Sequence, residues 1–254
     1  MLDILRTRLA FGHRTVPLPG PHETPVAEGF RGLPALAAER CPAGCSVCAQ
    51  ACPTEAITPG EGAGPRIDLG RCLFCPECVA ACPRGAVAFT REHRLAATDR
   101  QRLAVGPGDG APTVEPMAPD LRKLFGRSFK LRQVSAGGCN GCEGELIVTG
   151  TLVYDLSRFG VQFVASPRHA DALVVTGPVS KNMRLALEKT YAALPAPKLV
   201  IACGACAISG GPFAGSPEAH DGVGDLLPVD LWIPGCPPHP WTLVDGILRL
   251  MGRL

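Results

Sequence analysis

Aromatic residues make up only 5% of this chain, with two tryptophans and two tyrosines among 254 residues. Proteins that grip single-stranded nucleic acid stack bases on aromatic platforms inside a basic groove. With so few rings and a formal net charge of +2, a nucleic-acid partner has no support. Charged residues are also sparse, at 19% against 46% hydrophobic residues. That balance suits a well-packed globular chain rather than a disordered one. No uninterrupted apolar run approaches the roughly 20 residues of a membrane-spanning helix. Met1 leads straight to Asp3, Arg6 and Arg8, without the apolar core of a secretory signal and without a twin arginine. A cytoplasmic location is therefore expected. Bond-making machinery is missing too. There is no Ser–His–Asp arrangement at recognisable spacing, and Gly138-x-x-Gly141-x-x-Gly144 is not the dinucleotide fingerprint G-x-G-x-x-G.

What the chain has is cysteine: 13 residues, an odd number, mostly in tight C-x-x-C spacings. That pattern is a poor disulfide framework and a good metal-binding one. Two runs carry eight of them: Cys41-Pro-Ala-Gly-Cys45-Ser-Val-Cys48-Ala-Gln-Ala-Cys52-Pro53 and Cys72-Leu-Phe-Cys75-Pro-Glu-Cys78-Val-Ala-Ala-Cys82-Pro83. The second matches the bacterial ferredoxin spacing C-x₂-C-x₂-C-x₃-C-P, and the first has one extra residue between Cys41 and Cys45. In such pairs three close thiolates hold one [4Fe–4S] cubane, and the fourth cysteine, before proline, ligates the other. On that rule one cluster takes Cys41, Cys45, Cys48 and Cys82, and the other takes Cys72, Cys75, Cys78 and Cys52. The runs form an internal repeat, each followed by a short strand at 56–57 and 86–89. Zinc also uses C-x₂-C pairs, but two Cys-Pro-terminated quartets favour iron and sulfide.

A third stretch, Ser135-Ala-Gly-Gly-Cys139-Asn-Gly-Cys142-Glu-Gly-Glu145, lies between an expected strand and an expected helix. Strand, glycine-rich turn and helix is how α/β folds hold anions, because free N–H groups at the helix start point at the ligand. The helix dipole also stabilises thiolates there.

Around these stretches the chain divides. Residues 1–104 hold an N-terminal arm and a two-cluster α+β ferredoxin-like domain. Residues 105–119, with four prolines and three glycines, read as a linker. Residues 120–254 read as an α/β domain. Its strands are expected at 129–135, 161–165, 172–176, 198–203 and 230–233, and its helices at 144–159, 181–194 and 240–252. Alternation of this kind implies a mainly parallel, flavodoxin-like sheet whose ligands bind beyond the strand carboxyl ends. Cys139, Cys142, Cys206 and Cys236 all follow strands, so three loops on one edge can supply four thiolates. Cys203 ends an apolar strand and reads as a buried, inert residue. Helices are also expected near 1–12, packed on its own domain, at 90–104, and at 120–129 with Asp120 as its cap.

The pieces Gly138-Cys-Asn-Gly-Cys142-Glu-Gly-Glu145, Ser166-Pro-Arg-His-Ala-Asp171 through Val179, Gly204-Ala-Cys-Ala-Ile-Ser-Gly-Gly211 and Ile233-Pro-Gly-Cys-Pro-Pro238 resemble the small subunit of membrane-bound, energy-converting [NiFe]-hydrogenases. Formate hydrogenlyase and hydrogenase-4 belong to that group. The subunit is itself similar to the 20 kDa, cluster-N2-bearing subunit of respiratory complex I. Residues 1–95, including Glu28-Gly-Phe-Arg-Gly32, resemble the two-cluster ferredoxin-like subunit of the same complexes, here fused. The resemblance implies a proximal [4Fe–4S] cluster on Cys139, Cys142, Cys206 and Cys236, three [4Fe–4S] clusters in all, and an acidic position at Glu145, a candidate proton relay.

It also implies an electron-transfer subunit that relays electrons to or from the active site of a partner large subunit. Membrane-embedded subunits would stand beside it, with a ferredoxin or formate dehydrogenase module as donor. The expected place is the inner face of the cytoplasmic membrane. The Cys139-Asn-Gly-Cys142 spacing resembles the hydrogenase branch, since complex I subunits carry adjacent cysteines there. His169 points the same way; its plain reading is a loop residue with a structural hydrogen bond, and that of Arg168 is a surface ion pair. A complex I-like quinone oxidoreductase, a hydrogenase-like complex without nickel, and a non-redox zinc or scaffold module remain as alternatives.

Overall fold

The computed structural model describes residues 2–12, 15–17, 26–60 and 64–254. In chain order it contains α1 (Leu2–Phe11), β1 (Pro34–Leu36), α2 (Val47–Gln50), β2 (Ile57–Thr58), β3 (Arg66–Asp68), α3 (Glu77–Ala81), β4 (Val87–Phe89) and β5 (Ala104–Val105). The second half adds α4 (Pro119–Phe125), β6 (Phe129–Ser135), α5 (Gly141–Val148), β7 (Val161–Phe163), β8 (Ala172–Thr176), α6 (Lys181–Ala193), β9 (Leu199–Cys203), α7 (Ala205–Ser209), β10 (Leu231–Ile233) and α8 (Pro240–Leu250).

The N-terminal half is built from two small antiparallel sheets, β1–β4 and β2–β3–β5. Its two short helices, α2 and α3, each begin inside a cysteine run, and the Cys-Pro pair that closes each run ends the helix. Proline disfavours helical backbone in the residue before it, which sets that stop.

The C-terminal half is a five-stranded, all-parallel sheet in the order β7–β6–β8–β9–β10. Strands β8 and β9 are buried along their whole length, as sheets covered on both faces require. Counting strands within this half, the order is 2-1-3-4-5, the flavodoxin-like one, with its switch point between β6 and β8. The turn that carries Cys139 and Cys142 leaves β6 at that point. It is clamped there by Ala136 N–H to Thr176 O (2.8 Å) and Ser180 N–H to Ala136 O (3.0 Å).

The halves share a core rather than hanging from a string. Ile67, Leu69, Phe74 and Leu95 pack in one apolar cluster with Ala207, Ile208 and Trp232. Ala97 and Trp232 exchange backbone hydrogen bonds of 3.0 and 2.8 Å, which extends the sheet edge at β10. Ser209 Oγ donates to Gly70 O at 2.9 Å, and Thr242 Oγ1 donates to His93 O at 2.9 Å. Within the 105–119 stretch, Val105 lies in β5 and Met117 is buried, with its N–H bonded to Leu250 O.

Several local expectations need correction. The helix expected at 144–159 starts earlier and stops at Val148. The hydroxyls of Thr149 and Thr151 take the carbonyls of Leu146 and Val148 (2.6 and 2.8 Å), and Gly150 lies between them. Residues 90–104 form one 3-10 turn, Arg100–Leu103, because Ala97 pairs with Trp232 of β10. Helix α4 begins at Pro119 with Ala118 as its N-cap, so Asp120 sits in the first turn and pairs with Lys123 at 3.2 Å. It ends at Phe125, because Phe129 opens β6. Helix α1, expected to pack on its own domain, buries no residue among the described residues: residues 2–12 are exposed, including Leu2, Ile4, Leu5 and Leu9. Part of the proline-rich arm, residues 18–25, lies outside the described residues. Its end at 34–36 is strand β1.

Candidate metal centres

Twelve of the thirteen cysteines gather in three groups. Cys41, Cys45, Cys48 and Cys82 line one cavity together with Pro42, Pro65, Pro83 and Val87. Burial raises the proton affinity of Cys41, and the thiols of Cys45 and Cys82 push it the same way. The second group crosses between the runs. Burial pushes Cys72 up to about 12; the Phe74 N–H works against this, while Cys78, Cys52 and Cys75 add to it. Burial likewise pushes Cys78 up to about 11, with Cys75, Cys52 and Cys48 as its charged neighbours. Thus the structure places Cys52 with the second run and Cys82 with the first.

The third group stands at the carboxyl edge of the parallel sheet. Burial pushes Cys206 up to about 12, and Cys236, Cys142 and Cys139 contribute in the same direction. Cys139 comes from the β6 turn, Cys142 from the first turn of α5, Cys206 from α7 and Cys236 from the loop after β10. Asn140, in the left-handed region at φ 69°, turns the chain between the first two; asparagine tolerates that conformation better than most residues. The loops after β9 and β10 are tied by Gly204 N–H to Ile233 O (2.8 Å) and Ala205 N–H to Gly235 O (2.9 Å).

These groups fit a polynuclear cluster. Four thiolates crowded together repel one another and need a cationic core to hold them deprotonated. Among the described residues no three Cys, His, Asp or Glu side chains are arranged to hold a single metal ion. Mononuclear zinc would draw its sulfurs in to about 2.3 Å from one point. Backbone donors already face several of these sulfurs. Ala56 N–H and Ala86 N–H donate to Cys52 and Cys82, both at 3.2 Å, in the same place in each repeat, and Phe74 N–H donates to Cys72 at 3.3 Å. Burial works against ionisation of Cys82, yet the N–H groups of Ala86, Arg84, Val87 and Gly85 outweigh it and lower its proton affinity. At the third group Gly204 (φ +89°) lies so close to Cys142 that an added Cβ would stand 2.4 Å from its Sγ.

Three residues near the third group escape a reading of the sequence or differ from it. Glu143 is not a surface carboxylate. It is 5% exposed, and the hydroxyls of Ser135 and Thr176 overcome the effect of burial and hold its proton affinity below the ordinary range. Cys203 is fully buried, as its apolar strand suggests, but it lies against Cys142 of the third group. The neighbouring Cys142 sulfur, burial and the charge of Glu143 all raise its proton affinity. His239 caps α8 by accepting the Trp241 N–H at Nδ1 (3.1 Å), and it packs edge-on against Phe30 with ring centroids 4.9 Å apart. A serine or aspartate at such a cap is a readable signal, whereas a histidine is not.

Glu145 is half-buried, and burial raises its proton affinity. It lines a cleft of about 250 Å³ with Cys236, His239, Arg31, Phe30 and Phe74, where the two halves of the chain meet. Arg168 and His169 lie exposed on a 3-10 turn, Pro167–His169, and Arg168 has no ion pair among the described residues.

Fold and cysteine chemistry together define an iron–sulfur electron-transfer component of an oxidoreductase. The comparisons agree. Residues 139–250 match the family described as NADH ubiquinone oxidoreductase, 20 kDa subunit, and residues 38–86 match the 4Fe-4S dicluster domain. A probable membrane-bound hydrogenase subunit of Pyrococcus furiosus is 42% identical over 141 residues, covering 56% of this chain and 84% of the relative. Formate hydrogenlyase subunit 7 of Escherichia coli is 39% identical over 159 residues, 59% of this chain and 62% of the relative. An NADH-quinone oxidoreductase subunit of Heliobacterium modesticaldum is 41% identical over 120 residues, 47% of this chain and 69% of the relative. The chain belongs to the 20 kDa subunit family of NADH:ubiquinone oxidoreductase and the related hydrogenases, joined here to a dicluster ferredoxin-like domain.

Proposed function

We propose that this chain relays electrons to or from a large subunit of the energy-converting [NiFe]-hydrogenase type. It would hold three [4Fe–4S] clusters, on Cys41/Cys45/Cys48/Cys82, on Cys72/Cys75/Cys78/Cys52 and on Cys139/Cys142/Cys206/Cys236. When bound, these clusters supply one-electron carriers. The observation that carries the reading is the order of the thiol groups. Cys48 of the first is a charged neighbour of Cys78 in the second, and Cys75 of the second is a charged neighbour of Cys236 in the third. The protein's part is to fix that order, to bury the ligands and to supply hydrogen bonds to their sulfurs.

Glu145 serves as a proton relay beside the third group: it shares a cleft with Cys236, and burial keeps its proton affinity raised. Residues 1–104 act as the electron-entry domain, 105–119 as the connection and 120–254 as the domain that faces the large subunit. The exposed apolar residues of α1, with Ile147 and Leu152 beyond them, suit a face that partner subunits cover. Among the described residues no helix is long and apolar enough to cross a membrane. The assembly would therefore rest peripherally on the inner face of the cytoplasmic membrane, held by membrane-embedded partners, with ferredoxin or a formate dehydrogenase module as donor.

A quinone-reducing, complex I-like assembly is the second reading, since a relative with that name is 41% identical. The two part over nickel. The complex is captured anaerobically through a tag on this chain, and its nickel and hydrogen evolution are measured. Nickel at about one per copy with hydrogen evolution supports the hydrogenase reading. Iron without nickel, with quinone reduction, supports the second.

A further inference from the structure

Cys203 belongs to none of the three groups. It ends β9, with Thr176 of β8 and Ile233 of β10 as its register partners. Side chains in register point to the same face of a sheet. Thr176 uses that face to donate a hydrogen bond of 2.6 Å to Glu143, so Cys203 is aimed at the same first turn of α5. The next residue, Gly204, closes on the Cys142 sulfur, as its missing Cβ shows. Its positive φ turns the chain away from β9, so that Cys206, two residues further on, joins the cluster edge while Cys203 stays behind Cys142 in the sheet. Cys203 is 0% exposed and shares an apolar cluster with Cys142.

We infer that the Cys203 S–H donates a hydrogen bond to the Cys142 sulfur and thereby raises the electron affinity of the cluster held by Cys139, Cys142, Cys206 and Cys236. The inference rests on the ligand reading given above. A donor on a ligand sulfur draws negative charge off the thiolate and favours the reduced, more negative cluster. Dry surroundings strengthen the effect. The donors to Cys52, Cys72 and Cys82 are backbone N–H groups, which only a proline substitution removes. The donor at Cys142 is a side chain, so this one potential is open to change by a single substitution. A thiol suits the position because it donates weakly and packs like a small apolar group. Cys203 is thus a positioning residue, acting through Cys142 and not as a ligand.

The test is an EPR-monitored redox titration of the holo complex, prepared anaerobically with Cys203→Ala and Cys203→Ser. The expected result is a downward shift of the proximal midpoint potential in Cys203→Ala, with the other two clusters unmoved. Cys203→Ser keeps a donor and stays at or above the wild-type value. In wild type, proton/deuterium exchange followed by ENDOR shows an exchangeable proton coupled to the proximal cluster, and Cys203→Ala loses it. An unshifted potential in Cys203→Ala, or equal shifts in the two variants, overturns the inference. If Cys203→Ala does not assemble, the wild type decides: no coupled exchangeable proton there also overturns it. A wild-type complex with no proximal signal at all would instead overturn the ligand reading on which the inference stands.

Discussion

Thr176 at the end of β8 donates a hydrogen bond of 2.6 Å to Glu143 in the first turn of α5, and both side chains are buried. This contact fastens the Cys139–Cys142 turn to the switch point of the parallel sheet. Removing the carboxylate loses a charge-assisted bond at a buried site and leaves the Thr176 hydroxyl only the longer contact to Val134 O (3.3 Å), which costs about 1.5–3 kcal/mol. Glu143→Ala should therefore lower the unfolding midpoint of the holoprotein, and Glu143→Gln, which keeps an acceptor, should lower it less. The proton affinity of Glu143 is held below the ordinary value, so its contribution is present above the unfolded-state pKa and is lost as pH falls through the folded one. The gap between wild type and Glu143→Gln should narrow on acidification; a constant gap would contradict the assignment.

His239 gives a second pH signature. Burial, helped by the nearby His93, pushes it from 6.5 down to about 4. Its Nδ1 must be unprotonated to cap α8. Between those two values the unfolded chain binds the extra proton and the folded chain does not, so stability falls as pH drops. Denaturation of His239→Asn, which can still cap, should lose less stability than wild type between about pH 7 and about pH 5. Equal losses would remove His239 as the cause.

The crossed cysteine groups, read as cluster ligand sets, predict how losses combine. Each cubane carries four irons, so single substitutions that destroy one cluster should drop iron from about 12 to about 8 per copy. Cys52→Ala combined with Cys72→Ala should remain near about 8, because both residues serve one cluster. Cys52→Ala combined with Cys41→Ala should fall to about 4. The reverse pattern would mean that each run serves only its own cluster.

The grouping of the cysteines could be read from sequence because the C-x-x-C chemistry is tied to covalent spacing. Strands β6, β8 and β9 were readable because each is a continuous apolar or alternating run between turn residues. Other features depend on what lies across space. Glu143 and Glu145 look alike in sequence, but one turn of helix buries the first against Thr176 and leaves the second at the cleft. Cys203 gains its neighbour only through the register with Thr176. The early end of α5 comes from the Thr149 and Thr151 hydroxyls competing for helix carbonyls, a choice that apolar periodicity does not reveal. The exposure of α1 reflects the absence of a partner face for Leu5 and Leu9 among the described residues, which no pattern inside the helix records.

The junction between the halves is also open to test. Thr242→Val removes the donor to His93 O, a buried carbonyl, at a cost of about 1–3 kcal/mol. The expected outcome is a lower unfolding midpoint with all three EPR signals retained. A variant that loses the signals of residues 38–86 alone would mean that this contact supports the ferredoxin-like fold itself and not the junction.

Iron content with visible spectroscopy tests the central claim most directly. The complex is captured anaerobically through a tag on this chain, and its iron, sulfide and zinc are counted per copy. The account predicts at least about 12 iron and as many sulfide for this chain, with a brown absorption that bleaches on reduction. A colourless protein carrying zinc on these cysteines, without iron or sulfide, would contradict it.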